Sequence, residues 1–152
     1  MRLELTSRSA YAIRALIAIA RAEAGDPPKS ARPLPMSQIA EEMTIPRRFL
    51  PQVMGDLVRA GLVTAQVGRA GGYTLARSPG HLSILEIIEA AEGDSRRSTC
   101  VLRGGPCGPE RHCDAHEVFF TARSAMLERL RSATLADIVR PDRDHVTTAL
   151  PE

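Results

Sequence analysis

The chain has 152 residues, of which 43% are hydrophobic and 25% charged, with a net charge of +2. That balance excludes an intrinsically disordered chain and leaves room for one compact domain, or a small domain with an extension. The charge is spread unevenly. Residues 1–80 carry eleven Lys and Arg against six Asp and Glu (+5), and residues 81–152 carry nine against twelve (−3), so the front half is the part suited to a polyanion.

Taken in chain order, Thr6 or Ser7 caps a first helix that runs to about Ala24, and Tyr11, Ile13, Leu16, Ile17 and Ile19 make it apolar on most sides. Its apolar run over 10–20 is interrupted by Arg14 and is too short for a membrane span, which needs about 20 apolar residues. No export signal is read, so the expected setting is the cytoplasm, without membrane contact. Residues 25–35 form a Pro-rich loop, with Gly25 suited to a helix C-terminus. Ser37 opens a short helix over 38–43. Thr44, Ile45 and Pro46 make a turn, and a further helix runs over about 47–60, ended by Gly61. Two short helices joined by a tight turn, after a longer one, are the helix-turn-helix pattern. Residues 62–65 and 73–76 read as strands around a glycine-rich tip, a β-hairpin wing presenting Arg69.

Ser83 followed by Glu86 is a capping-box signal for a helix to about Ala91. A Gly- and Pro-rich loop containing all three cysteines follows. A long helix over about 114–132 then places Phe119, Ala122, Met126 and Leu130 on one face, with Phe120 and Leu127 beside it. Thr134 starts a last short turn, and the tail from Pro141 is polar and expected to be flexible. The predicted fold is mainly α with a small β-hairpin wing: a winged helix-turn-helix over 1–80, a connecting helix over 81–98, a cysteine loop over 99–113, and a dimerisation helix with a short terminal helix over 114–140.

The front half reads as a DNA binder. Nineteen of the twenty basic residues are Arg, whose fixed charge and forked donors suit phosphate and guanine. Arg47 and Arg48 open the second helix of the pair, the end that meets base edges in a major groove. Arg69 reaches a minor groove or phosphate from the wing tip, and Gly71 and Gly72, beside Tyr73, let the wing turn tightly and approach a duplex. Arg59 and Arg77 are expected phosphate contacts. Pro51 conflicts with a helix beginning at Arg47, because it removes a backbone donor and clashes with the preceding turn. Either the helix begins near Phe49 or its start is bent.

Cys100, Cys107 and Cys113 form C-x6-C-x5-C in a segment whose glycines let thiolates converge on one centre. The odd count argues against a disulfide framework, and the spacing is unlike the short Cys pairs of zinc sites. The candidate readings are an iron–sulfur cluster, a zinc ion, or reactive thiols without metal. A fourth cluster ligand is sought at His116, which shares a helix face with Cys113, or at the adjacent His112. No nucleophile elbow, Walker loop, H-E-x-x-H or Cys-x-x-Cys redox pair is present, so no enzyme is predicted.

These features together resemble the family of iron–sulfur winged-helix transcription regulators that includes IscR, NsrR and RirA. The matching stretches are Met1-Arg2-Leu3 with Thr6-Ser7 and Tyr11-Ala12, Ile39-Ala40 before Ile45-Pro46, Phe49-Leu50, residues 57–63, the Gly-Arg-Ala-Gly-Gly-Tyr wing at 68–73, residues 84–92, and the cysteine loop. The resemblance implies a homodimer held by the long C-terminal helix on a roughly palindromic DNA operator. The IscR-like pattern ends in Cys-x-x-His, matched by Cys113 and His116, and implies a [2Fe–2S] cluster. This is favoured over the RirA-like alternative, a [4Fe–4S] cluster on the three cysteines and an outside fourth ligand, which stays open. The NsrR-like pattern uses an Asp where this chain has Ala10. The chain also departs at Pro51, where the IscR pattern has Glu, so IscR's operator preference is not carried over. The function expected is a regulator, acting as a repressor, whose operator affinity follows iron or cluster supply, redox state or nitric oxide. The alternative is a cluster-free regulator using its cysteines as thiol switches.

Overall fold

Helix α1 (Ser7–Ala24) is the spine around which the N-terminal part is built. Ala12, Ala15, Leu16, Ala18 and Ile19 have no exposed surface, because other elements cover the helix on several sides. The computed structural model describes residues 5–24, 33–93 and 113–139 and the single positions 102 and 105. After α1 come α2 (Met36–Glu42), α3 (Leu50–Arg59), β1 (Val63–Gln66), β2 (Gly72–Leu75), a 3-10 turn (Pro79–His81), α4 (Ile84–Glu92), α5 (His116–Ser132) and α6 (Leu135–Ile138). Residues 25–32, most of the cysteine segment and the tail from 140 lie outside the described residues.

Local chemistry sets the boundaries. Thr6 caps α1, its Oγ1 accepting from the Ser9 N–H at 3.3 Å. The turn between α2 and α3 passes through Thr44, whose φ of 52° is left-handed, and it lets the Ile45 N–H reach the Ala40 carbonyl at 2.9 Å while Ile45 is buried. Gly61, with φ of 69°, closes α3 and leads Leu62 N–H back to the Leu57 carbonyl at 3.0 Å, the bond of a Schellman ending. The capping box at α4 forms as the sequence predicts: Ser83 Oγ accepts from Glu86 N–H at 3.2 Å, and Ser83 N–H donates to Glu86 Oε2 at 3.0 Å.

Strands β1 and β2 pair antiparallel, Val63 with Leu75 through Gln66 with Gly72. A third extended piece joins them. Leu34, expected to be loop, exchanges backbone hydrogen bonds with Tyr73 at 2.9 and 3.0 Å and is itself buried. The core joins α1, α2, α3, the sheet and α4 in one cluster, and Leu135 of α6 returns to it with its N–H on the Leu82 carbonyl at 2.8 Å. α4 is therefore packed on α1 and α3, and α5 lies between two elements anchored in that core.

Several predicted boundaries shift. α2 begins at Met36 after Pro35, ahead of Ser37, because Pro at the N-cap position supplies extended backbone and two carbonyl bonds, to Gln38 and Ile39. α3 begins at Leu50 rather than Arg47, so Pro51 falls in the first turn, where its missing N–H costs nothing. Arg47 and Arg48 precede the helix in a turn. The strands start and end one residue away from their expected limits, and α5 starts at His116 rather than Asp114.

Candidate nucleic-acid interface and cysteine segment

The turn before α3 exposes Arg47 and Arg48. The Arg48 guanidinium lies over the Phe49 ring, 4.8 Å from its centroid, and Phe49 in turn stacks on Tyr11 of α1, with centroids 5.9 Å apart and planes at 25°. Phe49 occupies the N-cap of α3 without any side-chain cap bond. At the other end of α3, about 15 Å away for ten residues of helix, Arg59 Nη2 donates to Asp56 Oδ1 at 2.8 Å while its side chain stays 73% exposed. Arg77 is held on Glu86 at 3.1 Å and on the His81 carbonyl at 3.2 Å. Both arginines expected at phosphate thus have intrachain partners, and Arg59 keeps most of its surface open.

Asp56 is the hidden centre of this region. It is buried on α3, and it accepts from Arg8 of α1, from Gln52 at 3.1 Å and from Arg59. Burial pushes its carboxyl up, but the bonds from Arg8 and Gln52, the Arg8 charge and the Arg59 bond outweigh that and hold it below the ordinary carboxylate range. Neither Asp56 nor Arg8 was singled out from the sequence. They lie 48 residues apart, and only the packing of α3 on α1 makes them partners.

The wing is shaped by steric need at two glycines. A Cβ on Gly72 would sit 2.5 Å from the Leu34 carbonyl oxygen, and one on Gly71 would collide with the carbonyls of Gln66 and Gly68. Tyr73 is half-buried and carries the backbone bridge to Leu34. Arg69 is exposed at the tip, on the rim of a cavity of about 530 Å³ shared with Arg21, Leu34, Pro35, Gln38 and Glu42. The wing tip therefore lies beside α2.

Of the four proposed cluster ligands, Cys113 and His116 are described, whereas Cys100 and Cys107 lie outside the described residues. Cys113 is 7% exposed at the foot of α5, and its carbonyl accepts from the His116 N–H at 2.8 Å, so the two residues share one turn. The His116 ring stacks on Phe120, 5.5 Å between centroids. Among the described residues no three His, Cys, Asp or Glu side chains converge as a metal group. A buried thiol and an imidazole on one turn suit an iron–sulfur centre as two of its donors. The other end of the segment is fixed too. Glu92, next to Gly93, accepts from Thr6 Oγ1 at 2.7 Å and from the fully buried Ser9 hydroxyl.

A paired helix unit with a three-piece wing and arginines at the second helix and wing tip defines a winged helix-turn-helix DNA-binding regulator. The chain belongs to the Rrf2 family, described as "Iron-dependent Transcriptional regulator", whose profile matches residues 5–141. It is 31% identical over 140 residues to an rrf2-like HTH-type transcriptional regulator of Rhodobacter capsulatus, covering 89% of this chain and 91% of that protein. Among solved structures it resembles CymR, the global cysteine regulator of B. subtilis, with a TM-score of 0.71 and 25% identity over 91% of this chain and 97% of that one. It likewise resembles IscR of T. potens, with a TM-score of 0.68 and 26% identity over 90% and 86%. The chain is accordingly a DNA-binding transcription regulator and not an enzyme. Among the described residues no helix is long and apolar enough to cross a membrane.

Proposed function

We propose that the protein is a homodimeric repressor whose affinity for a roughly palindromic operator is set by a [2Fe–2S] cluster on Cys100, Cys107, Cys113 and His116. The observation that carries this reading is the seat of buried Cys113 one turn before His116 at the foot of α5. The family's description as iron-dependent supports it, as does the spacing of the three thiols. Arg47, Arg48 and Arg69 are the DNA contacts, with Arg59 adding phosphate contact and Gly71, Gly72 and Tyr73 holding the wing in place. The exposed apolar side chains at the start of α5, Val118, Phe119 and Phe120, form part of the dimer surface. A bound cluster supplies a centre that changes charge or is lost on oxidation, iron depletion or reaction with nitric oxide.

The chain's own residues give that change a route. Glu92 ties the end of α4, where the cysteine segment begins, to Thr6 and Ser9 in the first turn of α1. Arg8, in the same turn, holds Asp56 on α3. A change at the end of α4 therefore has two paths to α3, one through the first turn of α1 and one through the direct packing of α4 on α3.

The test is absorption spectroscopy with iron and sulfide analysis on anaerobically purified protein, followed by DNA binding of Cys107→Ala. About two iron and two sulfide per chain, with a variant that binds DNA independently of cluster state, are expected. About four of each would replace the [2Fe–2S] assignment and its His116 ligand by a [4Fe–4S] centre. A colourless protein after reconstitution would favour thiol switches and leave the DNA-binding function standing.

A further inference from the structure

The N-cap of a helix is ordinarily filled by Ser, Thr, Asp or Asn, whose side chain satisfies an open backbone donor. At α3 that position holds Phe49, which makes no cap bond and leaves 43% of its surface exposed. Helix stability does not account for this choice, and core packing accounts for only part of the ring. What the ring does touch is specific. One contact is Tyr11, which is 8% exposed and fixed in α1, and the other is the guanidinium of Arg48. The three form a ladder from the core to the surface: a buried ring, a half-open ring and a cation.

A free Arg side chain samples many rotamers, and it loses that freedom when it binds phosphate or a base edge. A guanidinium already lying on an aromatic face has surrendered part of it beforehand, because the ring quadrupole attracts the cation. We infer that Phe49 is a positioning residue for DNA recognition, which holds Arg48 at the mouth of α3 by stacking between it and Tyr11. The inference rests on the proposal that Arg48 contacts DNA. Phe49 then acts on affinity through Arg48 and not by its own contact with the duplex.

The test is a double-substitution cycle in the full-length protein, read as affinity for a duplex selected by the wild-type protein from a random pool. Arg48→Ala and Phe49→Ala should each weaken binding about three- to thirtyfold, and the double variant should bind no worse than Arg48→Ala alone. Phe49→Trp should restore affinity, whereas Phe49→Leu, which fills the site without a ring, should not. Melting temperatures of all variants guard against loss of the fold, and Phe49→Leu keeps the test open if Phe49→Ala unfolds. Additive losses in the cycle, or full affinity in Phe49→Leu, would overturn the inference. Unchanged affinity in Arg48→Ala would remove its premise, an outcome distinct from additivity.

Discussion

Two helices of nearly equal length have opposite fates in this chain. α1 has eighteen residues, eight of them buried, and α5 has seventeen with none buried. The difference lies in what surrounds them. α1 is covered by α2, α3, α4 and the wing, whereas the main neighbour of α5 is α4. Val118 is 71% exposed, Phe119 43% and Phe120 56%, on a helix whose two ends are nonetheless anchored. Most helical stability in proteins comes from a packed apolar face rather than from the helix itself. The N-terminal unit thus closes on itself, while α5 presents a surface that needs a partner, which the proposed homodimer supplies.

The strongest way to break that contrast is to truncate one apolar side chain in each helix. Leu16→Ala, at a position with no exposed surface, should cost about 2–5 kcal/mol in chemical denaturation at any protein concentration. Phe119→Ala should cost less than about 1 kcal/mol in dilute monomer but weaken self-association about tenfold or more, read by sedimentation across a concentration series. A concentration-independent loss at Phe119 as large as that at Leu16 would place α5 in the core of its own chain.

A second contrast sits inside the winged unit, where the wing is held to the core by the Leu34–Tyr73 bridge. Gly72→Ala puts a methyl group 2.5 Å from the Leu34 carbonyl, so backbone must move and stability should fall by about 1–3 kcal/mol. DNA affinity should fall with it, because Arg69 rides on the displaced tip. A variant that keeps its stability but binds DNA less well would show that Gly72 serves close approach to the duplex instead.

The sequence made the helices legible because their apolar periodicity and punctuation agree: Ser83 with Glu86 starts α4, and Gly61 ends α3. The conflict posed by Pro51 was also legible, and the later helix start resolves it. Leu34 was hidden by its setting, since a single apolar residue between Pro33 and Pro35 carries no strand period. The ladder from Tyr11 to Arg48 was invisible for a different reason: Tyr11 on α1 and Phe49 at the N-cap of α3 meet only by tertiary packing. The same holds for Arg8 and Asp56. Of the cysteine site, the spacing was readable, and the structure adds that Cys113 is buried on the turn that bears His116.

The polar ties at the first turn of α1 give the smallest effect and the finest probe of the N-terminal unit. Asp56 and Glu92 are both pushed up by burial and brought below the ordinary carboxylate range by their hydrogen bonds, from Arg8, Gln52 and Arg59 in one case and from Ser9 and Thr6 in the other. A carboxyl whose folded pKa is depressed adds stability above its unfolded pKa of about 4, and that stability is lost as pH falls through the folded value. Asp56→Asn should therefore cost about 1 kcal/mol at pH 7, a modest loss because Arg8 and Arg59 are largely exposed and solvent screens their pairing. In denaturation curves taken at successively lower pH, the gap between wild type and variant should close below about pH 4, since protonation removes the charge that the amide lacks throughout. A gap that stays constant into acid would mean that Asp56 holds α1 to α3 by its shape and hydrogen bonds, with no contribution from its charge.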